Sequence, residues 1–123
     1  MGSKYFLEKR GSYLYMSILG EYNLQDFISY LKIINEECER WKTYSILIDL
    51  LNIEINVSTM DRIVLGEETA KMLNGKIKTA VIANEKDINN VFMIVAVKRG
   101  GNVYVFGNEE RAIKWLLNNE KKE

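Results

Sequence analysis

The sequence predicts an α/β fold: a five-stranded mixed sheet in the element order β-β-α-β-α-β-α-β-α, with an N-terminal hairpin at one edge. Three observations carry that prediction. Short β-rich runs alternate with stretches of helical apolar spacing, the pattern of crossover units in a largely parallel sheet. Gly11-Ser12 joins the first two runs so tightly that they must lie antiparallel. Helix caps and stops recur at the boundaries between the later runs.

Residues 4 to 10 and 13 to 20 read as two strands around a type II′ turn, where glycine tolerates the positive φ of the first corner. In that register Tyr5 and Leu7 share a face with Leu14, Met16 and Ile18, while Glu8, Arg10, Tyr13 and Tyr15 collect on the other. The first helix opens at Asn23, a good N-cap, with Asp26 where the helix dipole favours negative charge. Leu24, Phe27, Ile28, Leu31, Ile34, Cys38 and Trp41 then recur as one stripe, from which Ile33 points away. Residues 44 to 51 read as a buried central strand. Ser58, with Asp61 three residues on, is a variant capping box; it opens a second helix that runs to about Leu73 and is closed by Asn74-Gly75. Residues 77 to 83 make another strand. The run Val91 to Val97 fits a short strand or a helix; Asp87 ahead as a cap and Lys98-Arg99-Gly100 behind as a C-terminus predict a helix. Residues 103 to 106 form the last strand, and Asn108 caps a final helix that turns Ala112, Ile113, Leu116 and Leu117 inward.

Composition sets the outer bounds. The 123 residues are one domain's worth, read as a single domain over 1–123, and burying about two-thirds of the unfolded surface gives a core without staples. Apolar residues make up 47% and charged residues 28%, an ordinary globular balance. The 17 basic and 17 acidic residues cancel, which argues against nucleic acid as a partner. The absence of histidine removes His-based triads and imidazole metal sites together, and the lone Cys38 removes an internal disulfide or a thiolate cluster. No metal or cofactor is therefore expected. The N-terminus lacks the apolar core of a secretory signal, and the longest apolar run, Val91 to Val97, is too short to span a bilayer. The expected location is the cytoplasm.

Three local patterns are similar to the SpoIIAA-like branch of the STAS superfamily: Ile-Leu-Ile-Asp-Leu at 46–50, Ser-Thr-Met-Asp-Arg with Leu-Gly-Glu at 58–67, and Val-Lys-Arg-Gly-Gly-Asn-Val-Tyr-Val-Phe at 97–106. The tail Glu-Glu-Arg-Ala-Ile-Lys-Trp-Leu at 109–116 and the element order over nearly the whole chain add to the likeness. The resemblance implies a STAS/SpoIIAA-like domain that is not an enzyme, whose relatives act as protein-interaction switches or resemble CRAL-TRIO lipid carriers in fold. In switch-type relatives a phosphorylatable serine opens the second helix in a motif reading roughly Asp-Ser-Ser-Gly. Ser58 occupies the comparable place, with Val57 where the aspartate stands and Thr59-Met60 where the small residue and glycine stand.

Ser58 thus has two readings, a phospho-acceptor at a helix N-terminus or a simple helix cap, and capping is the commoner use of serine there. Asp49, Asn52 and Asn84, with Ser58 and Glu85, stand near strand ends where α/β sheets place crevices, yet none pairs into a catalytic arrangement. Cys38 lies on an apolar stripe and reads as a small buried hydrophobe. On the second helix Ile63, Gly66, Ala70 and Leu73 form a core stripe whose small residues permit close approach to the sheet. That leaves Met60, Val64, Leu65 and Met72 there, and Met93, Ile94 and Val97 on the third helix, as apolar residues that one sheet face cannot all cover. They are expected to meet a second copy in a homodimer, another protein, or an apolar small molecule. The first functional expectation is a non-catalytic interaction or regulatory module acting through the second and third helices. The alternative is a small carrier holding an apolar, lipid-like ligand between those helices and the sheet.

Overall fold

The computed structural model describes residues 2–118. Strand β1 (Ser3–Arg10) turns through Gly11, at φ 56, into β2 (Tyr13–Glu21), and all of β1 pairs with β2, from Ser3 against Gly20 to Arg10 against Tyr13. Helix α1 (Leu24–Trp41), strand β3 (Ser45–Asp49), a two-residue strand β4 (Ile53–Glu54), helix α2 (Thr59–Leu73) and strand β5 (Lys78–Ile82) follow. A 3-10 turn at Glu85–Asp87 leads into α3 (Val91–Lys98), then β6 (Val103–Phe106) and α4 (Glu109–Leu117). The sheet order is β1-β2-β3-β5-β6, antiparallel between β1 and β2 and parallel elsewhere, so the hairpin supplies one edge.

Local chemistry starts the helices. Asn23, Ser58 and Asn108 each sit in extended backbone and accept a hydrogen bond from the N–H three residues on, at Asp26, Asp61 and Arg111. Helices α1 and α2 end on left-handed residues, Lys42 and Asn74.

The two sheet faces have separate cores. Leu14, Met16, Ile18, Ile46, Ile48, Val81 and Val103 point toward Leu31, Ile34 and Cys38 of α1, Leu73 of α2 and Ala96 of α3. Leu47, Ala80, Ile82 and Phe106 point the other way, onto Ala112 and Leu116 of α4. The hairpin divides as its register requires: Leu14, Met16 and Ile18 are buried with the first core, while Tyr13 and Tyr15 lean on the second.

Several expectations need correction. The sheet has a sixth strand, because β2 runs on past the point where β3 ends, at the Ser17–Asp49 pair, and leaves Gly20 and Glu21 an open side that Ile53 and Glu54 fill. Asp87 does not cap α3; it lies in the 3-10 turn, and the helix starts from Asn90 at φ 71, with Asn89 Oδ1 accepting from the Val91 N–H at 3.1 Å. Trp41 and Leu117 face solvent, the latter 45% exposed; each is the last residue of its helix, and within the same last turns it is Cys38 and Leu116 that are buried. Tyr30 takes a place in the core instead, its ring edge-on to Tyr5 at 5.2 Å and its hydroxyl 2.8 Å from that of Ser3.

Candidate functional site

Between the sheet and the α2–α3 pair lies an apolar cavity of about 120 Å³. Its floor is the sheet face carrying Met16, Ile18, Ile48, Val81 and Val105. Phe27, Tyr30, Leu31 and Ile34 of α1 make one wall. Leu65 and Thr69 of α2 and Phe92 and Met93 of α3 form the roof. At the mouth stand Arg62 in the first turn of α2 and Asp87, Asn89 and Asn90 from the connection into α3.

The space exists for two reasons. The floor is low along β5 and just beyond it, where Thr79 and Ala83 present small side chains. The roof is held by its own partner: a Cβ on Gly66 would stand 2.8 Å from the Phe92 carbonyl oxygen and 2.8 Å from Val95 Cβ, so glycine is what lets α2 and α3 meet backbone to backbone. Gly66 was expected to bring α2 onto the sheet. It brings α2 onto α3, and that leaves room beneath them.

Some of the polar groups around the cavity already have partners. Thr79 Oγ1 donates to the Ile77 carbonyl at 3.2 Å, and the Tyr30 hydroxyl is paired with Ser3. Arg62 donates through one terminal nitrogen to the Asp87 carbonyl at 3.3 Å, tying α2 to the turn across the mouth. The neighbouring Asp61 accepts at 2.9 Å from the Tyr22 hydroxyl, whose pKa is raised by burial first and by that carboxylate second. No three His, Cys, Asp or Glu side chains cluster to hold a metal among the described residues. An apolar chamber with a small polar mouth can bind and orient; among the described residues that line it, no carboxylate is hydrogen-bonded to a hydroxyl nucleophile.

The residues singled out in the sequence are scattered around this chamber. Leu65, only 9% exposed, and the half-buried Met93 line it. Met72 packs against the core on the same side, and Val64 is half-buried. Met60, Ile94 and Val97 are turned outward, at 67%, 52% and 52% exposure. Ser58 is exposed, its hydroxyl accepting the Asp61 N–H at 3.1 Å. Asp49 and Asn84 come together at one turn: Asp49 accepts the Leu51 N–H at 2.9 Å and the Tyr15 hydroxyl at 2.6 Å, while Asn84 reaches the Leu51 carbonyl at 3.5 Å. Asn52 is exposed beside them. Cys38 is fully buried, and burial, with Glu39 and Glu37 adding to it, pushes its thiol pKa up to about 12.

Arg62 and Thr69 were missed. Their signal was spacing: Arg62, Leu65, Thr69 and Leu73 recur at intervals of three and four and so share one helix face, which places a cation and a hydroxyl on an apolar stripe.

No protein-family model matches the chain, and no curated protein sequence matches it. Its backbone does match solved structures. An anti-sigma factor antagonist from Mycobacterium paratuberculosis aligns with a TM-score of 0.60 over 95% of this chain and 96% of its own, at 12% identity. A protein of the DUF3478 family from Shewanella loihica PV-4, itself described as having a SpoIIAA-like fold, aligns with a TM-score of 0.55 over 94% of each chain, at 20% identity. The fold is SpoIIAA-like. The STAS/SpoIIAA-like reading of the sequence therefore holds at the level of architecture, with three helices over one sheet face and α4 on the other. No helix among the described residues is long and apolar enough to cross a membrane.

Proposed function

We propose that residues 1–123 form a single STAS-type domain that is not an enzyme and regulates by binding, acting in the cytoplasm through α2 and α3. The observation that carries this is the wet apolar surface of those helices. Ile94 and Val97 lie one turn apart on α3, each half-exposed, and Met60 at the head of α2 is more exposed still. Large apolar side chains grouped on neighbouring helices mark partner surfaces. A structural neighbour that is an anti-sigma factor antagonist supports a regulatory role with a protein partner. A second copy of the chain is the simplest partner, since a twofold contact reuses one patch. In this reading Ser58 serves as a helix cap and not as a phosphate acceptor, and Asp49, Asn52 and Asn84 order the loop after β3. Native mass spectrometry of gently purified protein tests the proposal. Association that Ile94→Lys and Val97→Lys each weaken supports it; a bare monomer that ignores both changes overturns it.

The cavity favours a second reading, a carrier that holds an apolar molecule between α2, α3 and the sheet. Its mark in the same spectra is added mass retained by Ile94→Lys and lost when Ala83→Leu fills the floor.

A further inference from the structure

We propose that the cavity takes a small monocarboxylate whose apolar tail is the size of one ring or a short chain, with Arg62 holding the carboxylate at the mouth. This rests on the carrier reading and adds to it the size and charge of the ligand.

Size comes from the volume. An apolar protein cavity of about 150 Å³ stays dry and admits benzene. At about 120 Å³ this one takes a tail of similar bulk and excludes a long acyl chain unless the roof lifts. The roof resists lifting piecemeal, because α2 and α3 touch backbone to backbone at Gly66.

Charge comes from Arg62. Its side chain is half-buried on the cavity-facing stripe of α2, three residues before Leu65 and seven before Thr69, both of which line the chamber. Among the described residues its guanidinium forms no ion pair, and its one hydrogen bond is the 3.3 Å contact to the neutral Asp87 carbonyl. A guanidinium carries five N–H donors in a planar fork that matches a carboxylate. The carboxylates nearby have partners of their own: Asp87 lies 3.6 Å from Lys86 Nζ, and Asp61 is held by the Tyr22 hydroxyl. Asn89 adds donors to the mouth, since its carbonyl oxygen accepts from Val91 and its amide N–H groups bond to no other described residue. A neutral tail alone would shield this guanidinium from water and give it nothing in return. An acid closes the mouth with a charge-assisted pair.

Calorimetric titration of the full chain with octanoate, and separately with 1-octanol, tests the assignment. Octanoate binding tighter than octanol by at least about tenfold, the worth of one charge-assisted hydrogen bond, is the expected result. Arg62→Met should remove that preference by weakening octanoate, while octanol binds at least as well as before because no guanidinium is left to desolvate; the octanol arm also shows that the variant is folded. Arg62→Lys, which keeps charge and loses the fork, should fall between. Ala83→Leu should abolish both bindings. Equal affinity for acid and alcohol in the native chain overturns the Arg62 assignment and leaves the carrier reading standing. Failure of both to bind overturns the two together. Octanoate binding that survives Ala83→Leu places the acid elsewhere and also overturns the proposal.

Discussion

The two faces of the sheet are covered in opposite ways. On one, α4 is the single helix among the described residues: Ala112 and Leu116 press onto Leu47, Ala80 and Ile82, and Trp115 packs against Tyr104 and Phe106 with ring centroids 6.0 and 5.8 Å away. On the other, three helices contribute, yet a void of about 120 Å³ remains. More helix has not meant tighter packing. A single helix can settle until its ridge fills the sheet surface, whereas α2 and α3 satisfy each other first and meet the sheet second.

Substitutions that add volume test that contrast most strongly. Ala80→Leu, on the α4 face, should lower stability by about 1–3 kcal/mol, the usual effect of overpacking a filled core. Ala83→Leu, at the cavity floor, should be neutral or stabilising in the same chemical denaturation experiment. Equal losses would show that the void closes in solution and would end the distinction between the faces. Glycines sharpen it at the next scale. Gly66→Ala must push apart the Phe92 carbonyl and Val95, so a net loss of about 1–2 kcal/mol is expected after the better helix propensity of alanine is counted. Gly107→Ala meets the exposed side chain of Glu85, Cγ nearest at 2.7 Å, which can turn away into solvent, so a smaller shift in unfolding midpoint than for Gly66→Ala is expected.

A smaller effect belongs to the cap. Ser58→Ala should remove about 1 kcal/mol, measurable as a shift in urea midpoint, without loss of fold. A larger loss would mean that the α2–α3 pair depends on that first turn for its position over the cavity. Cys38 is silent at neutral pH and tests whether the looseness spreads toward α1. Its thiol ionises near 9.0 when unfolded and near 12 when buried, so the folded chain holds the proton longer. Stability from this group is complete below pH 9.0 and is lost as pH rises toward about 12. Cys38→Ala should flatten that alkaline fall; an unchanged slope would mean that water reaches α1.

What the sequence disclosed was mostly local. Asn23, Ser58 and Asn108 could be read as caps because a side-chain oxygen and an N–H three residues away decide the matter between themselves. The hairpin register followed from a two-residue turn. Strand β4 was illegible because it depends on how far β2 outruns β3, a relation between segments more than thirty residues apart. The start of α3 was misread because Asp87 suits a cap chemically, while Asn90 can take left-handed backbone and begin the helix later. Helical angles showed that the seven surplus apolar residues must diverge. They did not show that Leu65 and Met93 would turn inward while Ile94 and Val97 turned outward, since a cavity is the remainder left when several elements meet.

The contact at Gly66 has a consequence for motion. Two helices that touch through their backbones cannot separate without losing that seam, so any widening of the chamber is expected to move both together, about the segments that join them to β5 and to β6. Amide hydrogen exchange should therefore return one opening free energy for the protected N–H groups of α2 and α3, distinct from that of α1, and the two helices behave as a single cooperative unit.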